Sequence, residues 1–160
     1  MKIAIFSDSH DNLATLGRAL EWVNKEKIEI ILHCGDLTNA EARDEMSKLF
    51  SGPIHLVLGN ADDPKLASEK NFKVWGEAGE ITFNGKKIAF THFPEKALEL
   101  AKKDTFDLVF YGHTHKPWEE KVGNCRLVNP GNLAGIFYKA TFAVYDTATD
   151  KLELKILEKI

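Results

Sequence analysis

Seven residues of this chain whose types suit divalent cations fall in an ordered series. Asp8-Ser9-His10 comes first, Gly35-Asp36 and Gly59-Asn60 follow, then His92, and finally Gly112-His113-Thr114-His115. Carboxylate, amide and imidazole offer oxygen and nitrogen donors without a thiolate. That set suits Mn, Fe, Co, Ni or Zn rather than soft-metal or iron–sulfur chemistry. Taken singly, the pieces are weak. An Asp after an apolar run is commonly a turn former or helix cap, and Gly59-Asn60 reads equally well as a turn. A lone His92 reads as a strand-end histidine. Two histidines one residue apart are stronger, because a sharp turn lets both reach one ion.

Position gives the series its force. Lys2 to Ser7, Glu29 to Cys34 and Ile54 to Leu58 are short apolar runs that predict buried strands. Between them, Leu13, Leu16, Leu20 and Val23 recur at helical spacing, as do Ala42, Met46, Leu49 and Phe50. This β-α-β-α-β order implies parallel strands covered by helices. Asn84-Gly85 predicts a hairpin between Glu80 to Phe83 and Lys86 to Thr91. Pro94 suits the first turn of a helix over Ala97 to Ala101, and Leu108 to Tyr111 reads as another buried strand. A second hairpin is expected across Gly123-Asn124, and two alternating strands close the chain around a turn near Asp146 to Asp150. Residues 61–79 show no clear period and read as a long loop with one helical turn.

Each candidate ligand therefore lies at the carboxyl end of a buried strand, where ligand sites gather in α/β sheets. His33 and His55 lie within strands and are assigned to structure. A parallel beginning and an antiparallel end predict two mixed sheets packed as a sandwich, with helices on the outer faces. The expected architecture is a four-layer αββα arrangement forming one domain over residues 1–160.

The ordered series resembles the calcineurin-like metallophosphoesterases, particularly their small single-domain bacterial and archaeal phosphodiesterases. The likeness runs from Met1 to about Asn132. It implies two adjacent divalent-metal sites, with Mn favoured. One would use Asp8, His10, Asp36 and His115; the other would use Asp36, Asn60, His92 and His113, with Asp36 bridging. It also implies a phosphoester substrate, cleaved by in-line attack of a hydroxide held between two ions about 3.5–4 Å apart.

Three departures qualify the resemblance. Many members place His directly after the Asn, where it protonates the leaving group, whereas this chain has Ala61. Relatives often read His-Gly-His where this chain reads His92-Phe93-Pro94. Asn129-Pro130-Gly131-Asn132 replaces a segment that commonly ends in Ser, leaving a phosphate contact by Asn129 or the Gly131 amide and a plain Pro-Gly turn as alternatives. Asn60 is a further candidate for substrate contact. Asp62 suits either support of a ligand or a turn or cap.

Composition sets outer bounds. Hydrophobic residues make up 44% and charged residues 28% of 160, the balance of a globular chain rather than a disordered one. A net charge of -3 gives no reason to expect nonspecific binding to nucleic acid or membrane, so nucleic acid enters only as a candidate substrate. The start, MKIAIFSDSH, lacks the apolar stretch of a signal peptide, and a cytoplasmic location is expected. Cys34 and Cys125 read as reduced core thiols. A homo-oligomer is left open. A phosphodiesterase is the favoured reading, with two alternatives: a phosphomonoesterase, and a non-catalytic protein-binding scaffold of the kind that the retromer subunit of this fold exemplifies.

Overall fold

The computed structural model describes residues 1–160, and its short apolar runs form the expected strands. Strand β1 (Lys2–Phe6) is followed by helix α1 (Leu13–Lys25), β2 (Ile30–His33), α2 (Ala40–Leu49) and β3 (Ile54–Leu56). Next come β4 (Phe72–Val74), β5 (Ala78–Phe83), β6 (Lys86–Thr91), α3 (Pro94–Lys102) and β7 (Leu108–Phe110). The chain ends with β8 (Trp118–Val122), β9 (Cys125–Asn129), β10 (Thr141–Asp146), β11 (Lys151–Ile156) and a 3-10 turn over Leu157–Lys159. Both helices of the first half begin on an asparagine. Asn12 Oδ1 accepts from the Thr15 amide and Asn39 Oδ1 from the Ala42 amide, satisfying donors that a helix start leaves unpaired.

Six strands form one sheet in the order β11-β10-β1-β2-β3-β4, and five form the other in the order β5-β6-β7-β9-β8. Strands β1 to β4 run parallel, as do β6, β7 and β9, while the remaining pairings are antiparallel. Strand β1 shows how the layers arise. Successive side chains point to opposite faces, so Ile3 and Ile5 enter the layer between the sheets, with Leu32, Phe90, Phe110 and Tyr145. Ala4 and Phe6 face the other way and pack under α1 and α2, against Leu16, Leu20 and Met46. Helix α3 covers the second sheet, with Ala97 and Ala101 against Ala89 and Val109. The αββα sandwich is present.

The segment 61–79 differs from its expectation. Residues 61–71 are irregular as expected, but the segment then contains β4, which pairs parallel with β3 through Ile54↔Phe72 and Leu56↔Val74, and the first residues of β5. Phe72 is buried, and the Trp75 indole N–H donates to His55 Nδ1 at 3.0 Å. Three residues carry too little alternation to announce a strand; the neighbouring edge of β3 supplies the hydrogen bonds. Strands β1, β2 and β3 also stop one or two residues earlier than their apolar runs. The freed residues start the loops that hold the candidate ligands.

Candidate metal centre

The carboxyl ends of β1, β2 and β3 in one sheet and of β6 and β7 in the other open onto a shared rim. Five of the seven candidate ligands leave their strands with left-handed backbone: Asp8 (φ 51°), His10 (φ 43°), Asp36 (φ 57°), His113 (φ 70°) and His115 (φ 60°). Few non-glycine residues adopt this conformation, though Asp and His tolerate it better than most. Each instance costs about 1–3 kcal/mol, and such strain gathers at functional sites. Here it turns the chain sharply enough for Asp8 and His10, and for His113 and His115, to converge.

Asp8 is buried and its two oxygens are used differently. Oδ2 accepts from the Ser7 hydroxyl at 2.5 Å and from the His113 amide at 3.1 Å. Oδ1 is buried without a hydrogen-bond partner. It faces His115 Nε2 at 3.3 Å and His10 Nε2 at 3.8 Å. Burial pushes the Asp8 carboxyl up to about 6, with the Ser7 hydrogen bond acting in the opposite direction. The approach of the two segments requires glycine at 112, because a Cβ there would lie 1.9 Å from Ser7 Oγ and 2.7 Å from Asp8 Oδ2.

Asp36 divides its carboxylate in the same way. Oδ1 accepts from the Ala61 amide at 2.8 Å. Oδ2 faces His92 Nε2 at 3.4 Å on one side and His10 Nε2 at 3.8 Å on the other. Asp62 fixes both flanking loops: its carboxylate accepts from the backbone amides of Asp36, Thr38 and Gly59 at 2.8, 2.6 and 2.7 Å. Asp62 thus shows both roles open to it in the sequence, supporting a candidate ligand through the Asp36 amide and closing a turn through the Gly59 amide.

On the far side, His92 Nδ1 lies 2.8 Å from the Cys34 carbonyl. A carbonyl only accepts, so Nδ1 carries the proton and Nε2 presents a lone pair. That lone pair faces Asn60 Oδ1 at 3.2 Å and His113 Nδ1 at 3.2 Å, while Asn60 Oδ1 stands 3.0 Å from His113 Nδ1. Such a concentration of ring nitrogens and side-chain oxygens, together with the unpartnered Asp8 Oδ1, is what divalent cations would relieve. Asp8, His10 and His115 bring one ligand atom each within 4.8 Å of one another, as do Asp8, Asp36 and His92. All the donors are oxygen or nitrogen, so the residues present fit such ions.

All seven expected ligands thus meet at one rim, whereas Asn129 and Gly131 do not offer free groups to a phosphate. Asn129 Nδ2 donates to the Gly112 carbonyl and to Thr114 Oγ1, and its Oδ1 accepts from the Gly131 amide at 2.8 Å. The pair braces the His113–His115 turn from behind, which corrects the expected phosphate contact. Asn132 adds to the brace, donating to the His115 carbonyl at 3.2 Å. His33 and His55 stay in structural roles, His33 being buried beside Ser9 Oγ at 3.0 Å. Both cysteines are buried and free, and no helix is long and apolar enough to cross a membrane.

Known proteins resemble this chain to different degrees. A phosphodiesterase of Methanocaldococcus jannaschii is 30% identical over 167 residues, covering 99% of this chain and 100% of that protein. Phosphodiesterase YfcE of Escherichia coli is 24% identical over 150 residues, covering 84% of this chain and 80% of its own. A solved structure described as a novel archaeal phosphodiesterase superposes with a TM-score of 0.86 at 27% identity, covering 98% of this chain and 99% of that one. Vps29 of Chaetomium thermophilum superposes with a TM-score of 0.74 at 16% identity over 98% of this chain and 95% of its own, a likeness of fold alone. Residues 1–150 match the model of the calcineurin-like phosphoesterase superfamily domain, and the chain belongs to that superfamily.

Proposed function

We propose that residues 1–160 act as one metallophosphoesterase domain that hydrolyses phosphodiesters with two divalent cations, Mn being favoured. Asp8, His10, Asp36 and His115 would hold one ion; Asp36, Asn60, His92 and His113 would hold the other. The observation that carries this reading is the position of Asp36 Oδ2, between His92 Nε2 at 3.4 Å and His10 Nε2 at 3.8 Å. One carboxylate oxygen facing both halves is what a shared ligand requires.

When bound, the cation pair supplies Lewis acidity toward a phosphoryl oxygen and makes water a stronger nucleophile at neutral pH. The chain supplies placement. Ser7 and the His113 amide keep Asp8 Oδ1 turned toward the rim, and Asp62 keeps Asp36 and Asn60 in register. With Asn60 Oδ1 directed at the two imidazoles, its Nδ2 is available to a phosphoryl oxygen. Ala61 offers no proton to the departing alcohol, so esters with acidic leaving groups are the better substrates. A diester also suits this centre better than a monoester, whose alkoxide departure gains more from a proton donor.

The test is a panel of activated phosphodiesters and phosphomonoesters, assayed with Mn, Ni, Zn, Fe and Co in turn, alongside metal analysis. Two ions per chain and diester hydrolysis that Asp36→Asn abolishes are expected. A stoichiometry near zero without hydrolysis would replace this reading with that of a protein-binding scaffold.

A further inference from the structure

The rim carries an aromatic side chain that does not pack into the core. Phe137 is 91% exposed, the highest value among the large apolar residues. Its φ of 62° is left-handed, a conformation that a bulky residue rarely adopts and that tends to mark functional positions. The ring centroid lies 6.2 Å from that of His115, beside the half of the centre formed by Asp8, His10 and His115.

The base of the Phe137 loop is tied to the site at several points. The Leu133 and Ala134 amides donate to the Ser7 and Asp8 carbonyls at 2.9 and 3.0 Å. Asn12 Nδ2 donates to the Ala134 carbonyl at 3.1 Å. Asn132 joins the loop to the His115 turn, its Oδ1 accepting from the Ile136 amide at 2.8 Å. A ring held out on a fixed base gives up little conformational freedom when a ligand covers it. Phe93, across the rim, is a different case. It is half-buried, with its ring 4.9 Å from His92 and 5.4 Å from His113, so its surface is already engaged.

We propose that Phe137 is a specificity-determining residue on which a planar aromatic group of the substrate stacks, so that the preferred diesters carry a nucleoside or another aryl-bearing alcohol. This rests on the phosphoesterase reading above. An aromatic face accepts any base or aryl ring without hydrogen-bond readout, and its removal commonly costs about tenfold or more in affinity.

Binding of four phosphate monoesters to the Mn-loaded protein, measured by calorimetry, tests the assignment apart from turnover. Adenosine 5′-monophosphate is compared with ribose 5-phosphate, and phenyl phosphate with ethyl phosphate. The wild type should favour the aromatic member of each pair. Phe137→Ala should cut that preference about tenfold, and Phe137→Tyr should retain it. A stronger preference in the nucleotide pair than in the phenyl pair identifies a nucleoside; equal preferences identify a simple aryl group. No preference in the wild type, or one that survives in Phe137→Ala, overturns the proposal. So does an unchanged preference accompanied by a change in oligomeric mass, which would make Phe137 a contact between protein chains. A protein that shows the preference yet hydrolyses no diester would sink the proposed activity and leave Phe137 as a stacking platform for aromatic phosphate ligands.

Discussion

His10 Nε2 and His115 Nε2 lie 3.2 Å apart although 105 positions separate them in the chain. Two imidazole nitrogens at that distance require either a shared proton or a cation close to both lone pairs. Asp8 Oδ1 faces the same space without a hydrogen-bond partner, which favours the cation. His10→Ala or His115→Ala should therefore lower metal content from two ions per chain to about one, whereas Asp36→Asn should weaken both sites. Plasma emission analysis after equilibration with Mn reads the difference. His113→Ala should abolish hydrolysis with little change in the circular dichroism spectrum, since its side chain lies outside all three apolar layers.

Metal binding should also stabilise the fold. A ligand that binds only the native state at a hundredfold excess over its Kd contributes about 2.7 kcal/mol. For a chain of this size that corresponds to roughly 5–11 °C in Tm. Thermal unfolding with and without Mn checks this; equal midpoints would argue against a native-state metal site.

His33 carries a pH dependence of its own. Burial lowers its pKa from 6.5 to about 4, so the native state keeps the ring neutral where the unfolded chain would take up a proton. Its contribution to stability is intact above pH 6.5 and is lost as pH falls toward 4. Urea unfolding between pH 7 and pH 4.5 should show this loss, and a His33→Gln variant should show a shallower one.

Ala61 presents a different opportunity. Its backbone amide already holds Asp36 Oδ1, and its side chain is exposed at the rim, so a larger residue fits without displacing that contact. Ala61→His should raise kcat/KM for esters of poor leaving groups, relative to activated aryl esters, by about tenfold or more. An unchanged ratio would remove the proton-donor argument.

Gly112 tests the geometry from the opposite direction. In Gly112→Ala the new methyl would crowd Ser7 Oγ and Asp8 Oδ2, and overpacking of this kind costs about 1–3 kcal/mol. Stability and Mn affinity should fall together, because the displaced atoms are those that orient Asp8 Oδ1.

The residues that meet at the rim were legible in the sequence because the signal is local: each is a donor residue placed just after an apolar run. Their supports were not. The Gly59 amide is local to Asp62, but the Asp36 and Thr38 amides belong to a loop that meets it only after β2 and β3 pair, and nothing near Asp62 in the chain announces them. Asn129 looked like a phosphate contact because its type and strand-end position match those of the true rim residues. Only the Gly112 carbonyl and Thr114 hydroxyl behind it reveal that its amide is engaged. The left-handed backbone at Asp8, Asp36 and His113 was hidden for the same reason, since distant contacts impose it. The sandwich itself followed from apolar periodicity, except for β4, whose three residues depend on a neighbouring strand.

Strand β1 lies inside its sheet, between β2 and the late strand β10, with Ile3 opposite Tyr145. Residues Lys2–Phe6 must therefore wait for Thr141–Asp146, far along the chain, before that sheet can close. Ser7 and Asp8 likewise receive the amides of Leu133 and Ala134 from a segment remote in sequence. Folding should therefore be slow for a chain of this size, because the residues that follow β1 are fixed only once these distant segments have met.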